Sequence, residues 1–340
     1  MASIAFPKIS GKVQLSEGLT YGYVQVKPSP SGVKPYILLL HGFPSSCYDW
    51  RYQIDFLAKE GYGVLAPDLL GYGDTDKPTD IEAYKSKKMA GETASLLDAL
   101  GIDLVIGVGH DWGSGLLSKL ANYHPERFIA YAFLNIGYQS PSSNFSIDNA
   151  NQMTTEMLGY PIFGYWHFFN SPDAAELMDR NPECTDSCVF PADPLSRKDN
   201  LAAIGAARQW FEENKVGPLA SWLSSEEVET HTKIFAPANG GYGPPLNWYK
   251  AQIRHFNDED EASIPAERSF IEQPTLLVTC SQDPVGAPGV AEAGTRPFVK
   301  NLQVTQIDTG HWLQLEKPDE VNQILKHFFE GLSAAKGGRL

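Results

Sequence analysis

Residues 104–115 read Leu104-Val-Ile-Gly-Val-Gly-His-Asp-Trp-Gly-Ser-Gly115. An apolar run empties into Gly109-His110-Asp111-Trp112-Gly113, and a helix-compatible segment, Ser114 to Tyr123, follows without a spacer. The pattern predicts a strand, a very tight turn and a helix. Such a turn lifts its middle residue clear of the backbone, and glycines two positions to either side leave room for the neighbouring strand and helix. Asp111 takes the middle position. Serine is the familiar occupant, and an aspartate implies different chemistry: a carboxylate needs no deprotonation, attacks saturated carbon and becomes an ester. The plainer alternative is a turn whose aspartate only caps the helix.

Outward from this turn, short continuous apolar runs recur at Tyr36-Ile-Leu-Leu-Leu40, Gly63-Val-Leu-Ala66, Ile129 to Leu134 and Thr275-Leu-Leu-Val-Thr279, and the strand pattern returns once more at Leu302 to Gln306. Runs of this kind mark strands buried on both faces. Helical segments are expected at Arg51 to Glu60, Ile81 to Leu100 and Glu320 to Leu332. Strands alternating with helices imply a mainly parallel sheet with helices on both faces. Gly11 to Gly18 and Leu19 to Lys27 read as an antiparallel edge. From Gly137 to Ala266 the alternation stops; aromatics, prolines and helix-like pieces such as Ala202 to Asn214 replace it. This predicts an inserted helical cap over 137–266 and a core made of 1–136 and 267–340.

The net charge of −14, from 27 basic and 41 acidic residues, argues against nucleic acid or an anionic membrane as partner and suits a neutral substrate. The start, Met1 to Lys8, lacks signal-peptide features and no apolar run approaches a membrane span, so an intracellular, cytoplasmic protein is expected. The ending Lys336-Gly-Gly-Arg-Leu340 only loosely resembles a peroxisomal Ser-Lys-Leu signal and reads as a frayed tail. Cys47, Cys184, Cys188 and Cys280 stand without zinc-type spacing and read as reduced thiols.

A carboxylate nucleophile needs a base for the second step, and the base needs an acid to orient it. Strand ends offer both: Asp283 follows the run ending at Thr279, and His311 follows the run ending at Gln306. The chain order Asp111, Asp283, His311 matches the nucleophile, acid, histidine order of α/β-hydrolases. Asp308 is a rival acid, but it shares a loop with His311, and partners in such triads usually come from separate loops. His110 is expected to point into the fold and pack there. The backbone N–H groups of Phe43 and Trp112 are the expected oxyanion donors.

His41-Gly-Phe-Pro44, Gly109-His-Asp-Trp-Gly113, Asp283 and Gly310-His-Trp312, with Gln314 and Glu316-Lys-Pro318 behind them, resemble the α/β-hydrolase-fold epoxide hydrolases along nearly the whole chain. Within the insertion, Leu246-Asn-Trp-Tyr249-Lys looks like the family's Asn-Trp-Tyr-Arg segment, and Tyr165-Trp-His-Phe-Phe-Asn-Ser-Pro172 resembles the segment bearing its other ring-opening tyrosine. The resemblance implies that Tyr249 and Tyr165 hydrogen-bond the oxirane oxygen. Lys250 replaces the family's arginine, and Trp166 stands where some relatives have glutamine. The chemistry itself demands donors, since ring opening leaves an alkoxide; Tyr160 and Tyr242 are the reserve.

The expected reaction converts an epoxide and water to a vicinal diol through an Asp111 ester, with no metal or organic cofactor. Activity is expected to be bell-shaped in pH, limited by His311 below and the tyrosines above. Two other functions share part of the constellation. A haloalkane dehalogenase uses the same nucleophile but commonly has asparagine where Phe43 stands and does not need paired tyrosines. A non-catalytic ligand-binding protein of this fold has no need to orient a base.

Overall fold

The computed structural model describes residues 1–16, 18–30 and 34–335. Among the described residues, the apolar runs form one sheet of β1 (Ser10–Gln14), β2 (Thr20–Val26), β3 (Tyr36–Leu40), β4 (Gly63–Pro67), β5 (Val105–His110), β6 (Phe128–Leu134), β7 (Thr275–Cys280) and β8 (Leu302–Ile307). The strand order is β1-β2-β4-β3-β5-β6-β7-β8, with the β1–β2 and β2–β4 pairings antiparallel at one edge and the remaining pairings parallel.

Both faces are covered, and the pleat sorts the side chains between them. Ile37 and Leu39 of β3 join Ile54 and Leu57 of helix Arg51–Lys59 and Val321, Leu325 and Phe329 of helix Pro318–Ala335. Leu38 and Leu40, one residue out of phase, join Leu96 and Leu97 of helix Ser86–Ala99 and Leu116, Leu117 and Leu120 of helix Trp112–Tyr123. An apolar residue at every position is what two buried faces require.

The expected helix from Ile81 to Leu100 is interrupted. A 3₁₀ turn spans Ile81–Tyr84, Lys85 is extended (φ −61°, ψ 129°), and the α-helix runs over Ser86–Ala99. Local periodicity loses here to specific hydrogen bonds. The Tyr84 hydroxyl donates back to Pro78 O at 2.9 Å, and the Ser86 N–H donates at 2.8 Å to Asn257 Oδ1, which lies far along the chain.

Between β6 and β7 the described chain is helical, including Ile147–Leu158, Gly164–Phe169, Pro182–Val189, Ser225–Ile234 and Gly243–Ile253; Pro191 and Leu219 form an isolated bridge. The helix expected at Ala202 to Asn214 is shorter, Ala206–Glu212, and a π-helical turn at Lys198–Ala202 precedes it. Buried polar ties hold these helices to the rest: Lys119 pairs with Glu261 at 2.7 Å, and the Trp248 indole donates to Leu70 O at 2.9 Å. Cys184 and Cys188 are buried free thiols. No described helix is long and apolar enough to cross a membrane, and the tail from Lys336 to Leu340 lies outside the described residues.

Candidate active site

The chain leaves β3 for β4 on one side and returns past it to β5 on the other. Loops leaving the carboxyl ends of β3 and β5 therefore diverge around a crevice, the usual ligand position in such sheets. Asp111 follows β5 directly and adopts φ 53°, uncommon for a residue with a side chain. The turn is as tight as the glycines imply: a methyl group on Gly113 would lie 2.0 Å from Leu40 O, and one on Gly109 would lie 2.5 Å from Gly113 O. The Asp111 side chain makes no capping bond to the helix that follows. Its Oδ1 instead accepts the Phe43 N–H at 2.8 Å. Gly42 makes that approach possible, since a methyl group there would sit 2.3 Å from Asp111 Oδ1.

His311 lies across from the free oxygen, with Nε2 3.5 Å from Asp111 Oδ2 and Nδ1 2.7 Å from Asp283 Oδ2. Asp283 follows β7; it also accepts backbone N–H groups of Val285 at 3.0 Å and Gly286 at 2.9 Å. Burial raises the pKa of each carboxyl, but His311 and hydrogen-bond donors outweigh it. Asp111 is held below the usual carboxylate range and Asp283 well below it, so both are ionised at neutral pH. For His311, burial and then the Arg197 cation favour the neutral ring; Asp283 and Asp111 outweigh them and lift its pKa above the ordinary imidazole value.

Asp308 is not at this corner. It accepts Ser281 Oγ at 2.7 Å and Gln282 Nε2 at 2.8 Å on the exposed side. His110 does more than pack: its Nε2 lies 2.8 Å from His311 O, bracing the base's backbone, and burial pushes its pKa down to about 3.

Tyr165 and Tyr249 enter from the insertion, on helices Gly164–Phe169 and Gly243–Ile253, with ring centroids 6.1 Å apart. Tyr249 is wedged edge-on against Phe43 (5.1 Å), Trp112 (5.0 Å) and Trp166 (5.2 Å). Burial first, and among the charges nearby the Asp111 carboxylate, raise both phenol pKa values, so each hydroxyl keeps its proton. Asp111 and Tyr165 border two cavities. One, about 790 Å³ and partly open to solvent, is lined mainly by apolar groups including Ile162, Phe163, Val285 and Val290. The other, about 390 Å³, holds Tyr249, Arg197, Met178 and Phe211. Of the reserve tyrosines, Tyr160 donates to Pro284 O at 3.0 Å, and Tyr242 stacks on Phe235 at 5.0 Å.

Two residues absent from the sequence reading join the corner. Asn135 stands just past β6 at φ 66°, and its side-chain N–H donates to Asp283 Oδ2 at 2.7 Å while lying 2.9 Å from His311 Nδ1. Its place at a strand end was the available signal. Arg197, in the insertion, has Nη1 3.4 Å from Asp283 Oδ1, and nothing in its local sequence, Pro194-Leu-Ser-Arg197-Lys198, marks it.

A family model for the α/β-hydrolase fold matches residues 35–161. Bifunctional epoxide hydrolase 2 of Rattus norvegicus is 34% identical over 324 residues, covering 90% of this chain and 55% of that protein. Epoxide hydrolase A of Mycobacterium tuberculosis is 31% identical over 308 residues, covering 88% of this chain and 91% of its own length. The chain thus spans about half the length of the rat relative and nearly all of the mycobacterial one. The crystal structure of Epoxide Hydrolase A from Mycobacterium thermoresistibile is similar with a TM-score of 0.75 and 28% identity, covering 95% of this chain and 98% of that one.

Proposed function

This chain belongs to the epoxide hydrolase family and has the α/β-hydrolase fold, and from that premise we propose that it hydrolyses epoxides to vicinal diols through an ester of Asp111. The observation that carries the reading is the division of the Asp111 carboxylate in a residue that lines both cavities: Oδ1 is held by the Phe43 N–H at 2.8 Å, while Oδ2 lies 3.5 Å from His311 Nε2. Oδ2 attacks an epoxide carbon, the ring C–O bond breaks, and Tyr165 and Tyr249 meet the alkoxide with hydrogen bonds and a proton. Oδ1 becomes the carbonyl oxygen of the ester and stays on the Phe43 N–H, with the Trp112 N–H as the second donor.

In the second step His311 Nε2 takes a proton from water, and the hydroxide adds to the ester carbonyl carbon. Asp283 holds the imidazolium. Collapse breaks the acyl C–O bond, the departing diol oxygen takes the proton from the imidazolium, and the proton left on the Asp111 carboxyl returns to the phenolate, which restores the carboxylate and both phenols. In this reading residues 137–266 form a cap that supplies the phenols, and 1–136 with 267–340 form the core that supplies the triad. A dehalogenase reading is disfavoured because Phe43 packs its ring on Tyr249 and offers no side-chain donor to halide.

Oxygen tracing tests the route. In a single turnover with enzyme in excess in ¹⁸O water, water adds to the ester carbonyl, so the first diol should be unlabelled and the Asp111 peptide labelled. Labelled diol with unlabelled Asp111 would reduce Asp111 to a general base and end the ester reading.

A further inference from the structure

Asp283 collects donors from several directions. Val285, Gly286, Asn135 and His311 all reach it from the carboxyl end of the sheet. Arg197 does not. It stands in the insertion, between the 3₁₀ turn Pro194–Ser196 and the π-helical turn Lys198–Ala202, and places Nη1 3.4 Å from Asp283 Oδ1. Arg197 is 7% exposed and its Nε has no hydrogen-bond partner. A buried, loosely paired cation is a poor stabiliser, because its desolvation offsets most of the attraction. Its presence calls for an account other than holding helices in place.

The charges around His311 supply one. Its ring is faced by Asp111 from the turn after β5, His110 from the end of β5, Asp283 from the loop after β7 and Arg197 from the insertion. Tyr165 borders the same cavity, and Glu316 accepts the N–H of the adjacent Gly310 at 2.9 Å. His110 and the phenol are neutral, so the balance falls to two carboxylates and one guanidinium. Two ionised carboxylates beside an imidazole hold it as imidazolium, which cannot take a proton from water. When Asp111 becomes an ester its charge disappears, and Asp283 and Arg197 then balance. Without Arg197 one uncompensated carboxylate would remain at the moment the base is needed.

We propose that Arg197 is a positioning residue for the hydrolytic half-reaction: a fixed cation, delivered to the triad by the insertion, that offsets Asp283 and keeps His311 in its proton-accepting form. The proposal rests on the two-step reading above. It gives the insertion a part in both half-reactions, with phenols for ring opening and a charge for ester hydrolysis.

The test is the pH dependence of ester decay, measured by rapid quench in single turnovers of an aryl epoxide, for the unaltered chain and for Arg197→Gln, Arg197→Met and Arg197→Lys. In the neutral variants the acid limb should move to higher pH by on the order of one unit, with ester formation at neutral pH changed little. The Lys variant should keep the original limb. A limb that stays put in Gln and Met, or moves as far in Lys as in Gln, overturns the proposal, since a merely structural role would not sort the variants by charge. Should both neutral variants fail to fold, Arg197→citrulline, which keeps the shape and loses the charge, gives the same readout. Absence of any ester in the unaltered chain would overturn the two-step reading itself, and this is seen before a variant is made.

Discussion

The loops at the carboxyl end of the sheet and the helices of the insertion serve one cavity in unlike ways. The loops bring two carboxylates fixed by backbone groups, Phe43 N–H on Asp111 and Val285 and Gly286 N–H on Asp283, and an imidazole whose backbone carbonyl is held by the His110 side chain. The insertion brings two phenols on helices and a guanidinium between two short turns, and these are held by other side chains. Tyr249 leans on Phe43, Trp112, Trp166 and Phe169, while Tyr165 leans on Phe169 and Trp166. Backbone anchoring inherits the precision of the strand register, whereas aromatic packing tolerates substitution of a neighbour. In the proposed cycle the nucleophile and base therefore sit in a rigid frame, and the electrophilic side, which must suit the substrate, sits where sequence can vary.

The comparison is broken most severely by His311→Gln. Ring opening does not use the base, so an ester should accumulate on the Asp111 peptide, visible by mass spectrometry, while turnover falls by about 10⁴–10⁶. Normal turnover, or an adduct on another peptide, would remove His311 from its role. The opposite lesion is the pair Tyr165→Phe and Tyr249→Phe, which keeps both rings and removes both donors. Each alone should slow ester formation by about 10²-fold, because the other phenol still serves; together they should nearly abolish it, with ester decay untouched. A double variant that still forms ester at the original rate would sink the phenol assignment.

The smallest effect is one of shape. In the proposed cycle neutral His311 is the active form in the second step, where the Asp111 carboxylate that helps to raise its pKa in the free enzyme has become an ester, so ester decay should climb through a lower pH than the titration of His311 in the free enzyme. Both phenols are raised as well, so their loss of proton retreats beyond the usual alkaline range. The bell expected from ordinary tyrosine values becomes a single rise to a plateau. Loss of activity by about pH 9, where ordinary phenols are still protonated, would mean that another group titrates.

Parts of the site are legible in the sequence alone. The readings of Asp111 and Asp283 rest on runs buried on both faces, a local property, whereas His311 follows an edge strand, Leu302–Ile307, that is only partly buried, and is legible from its place after that strand and from chain order. Tyr165 and Tyr249 were reached only by resemblance, since an aromatic inside an aromatic-rich insertion carries no signal of its own. The helix from Ile81 failed because its interruption depends on Asn257, and His110 was underread because its partner is the His311 carbonyl.

What the sequence by itself determined is the frame: which stretches must be buried strands, where the tight turn falls, and that a carboxylate stands at its apex. Periodicity and glycine placement are covalent facts of the chain, and they act over a few residues. Only the tertiary structure decided which donors meet those groups. Asn135 and Arg197 lie 148 and 86 residues from Asp283 in the chain, yet close on the same carboxylate. Hydrogen bonds and charge balance depend on distances of a few ångströms, and no local pattern encodes which distant segments will be brought that near.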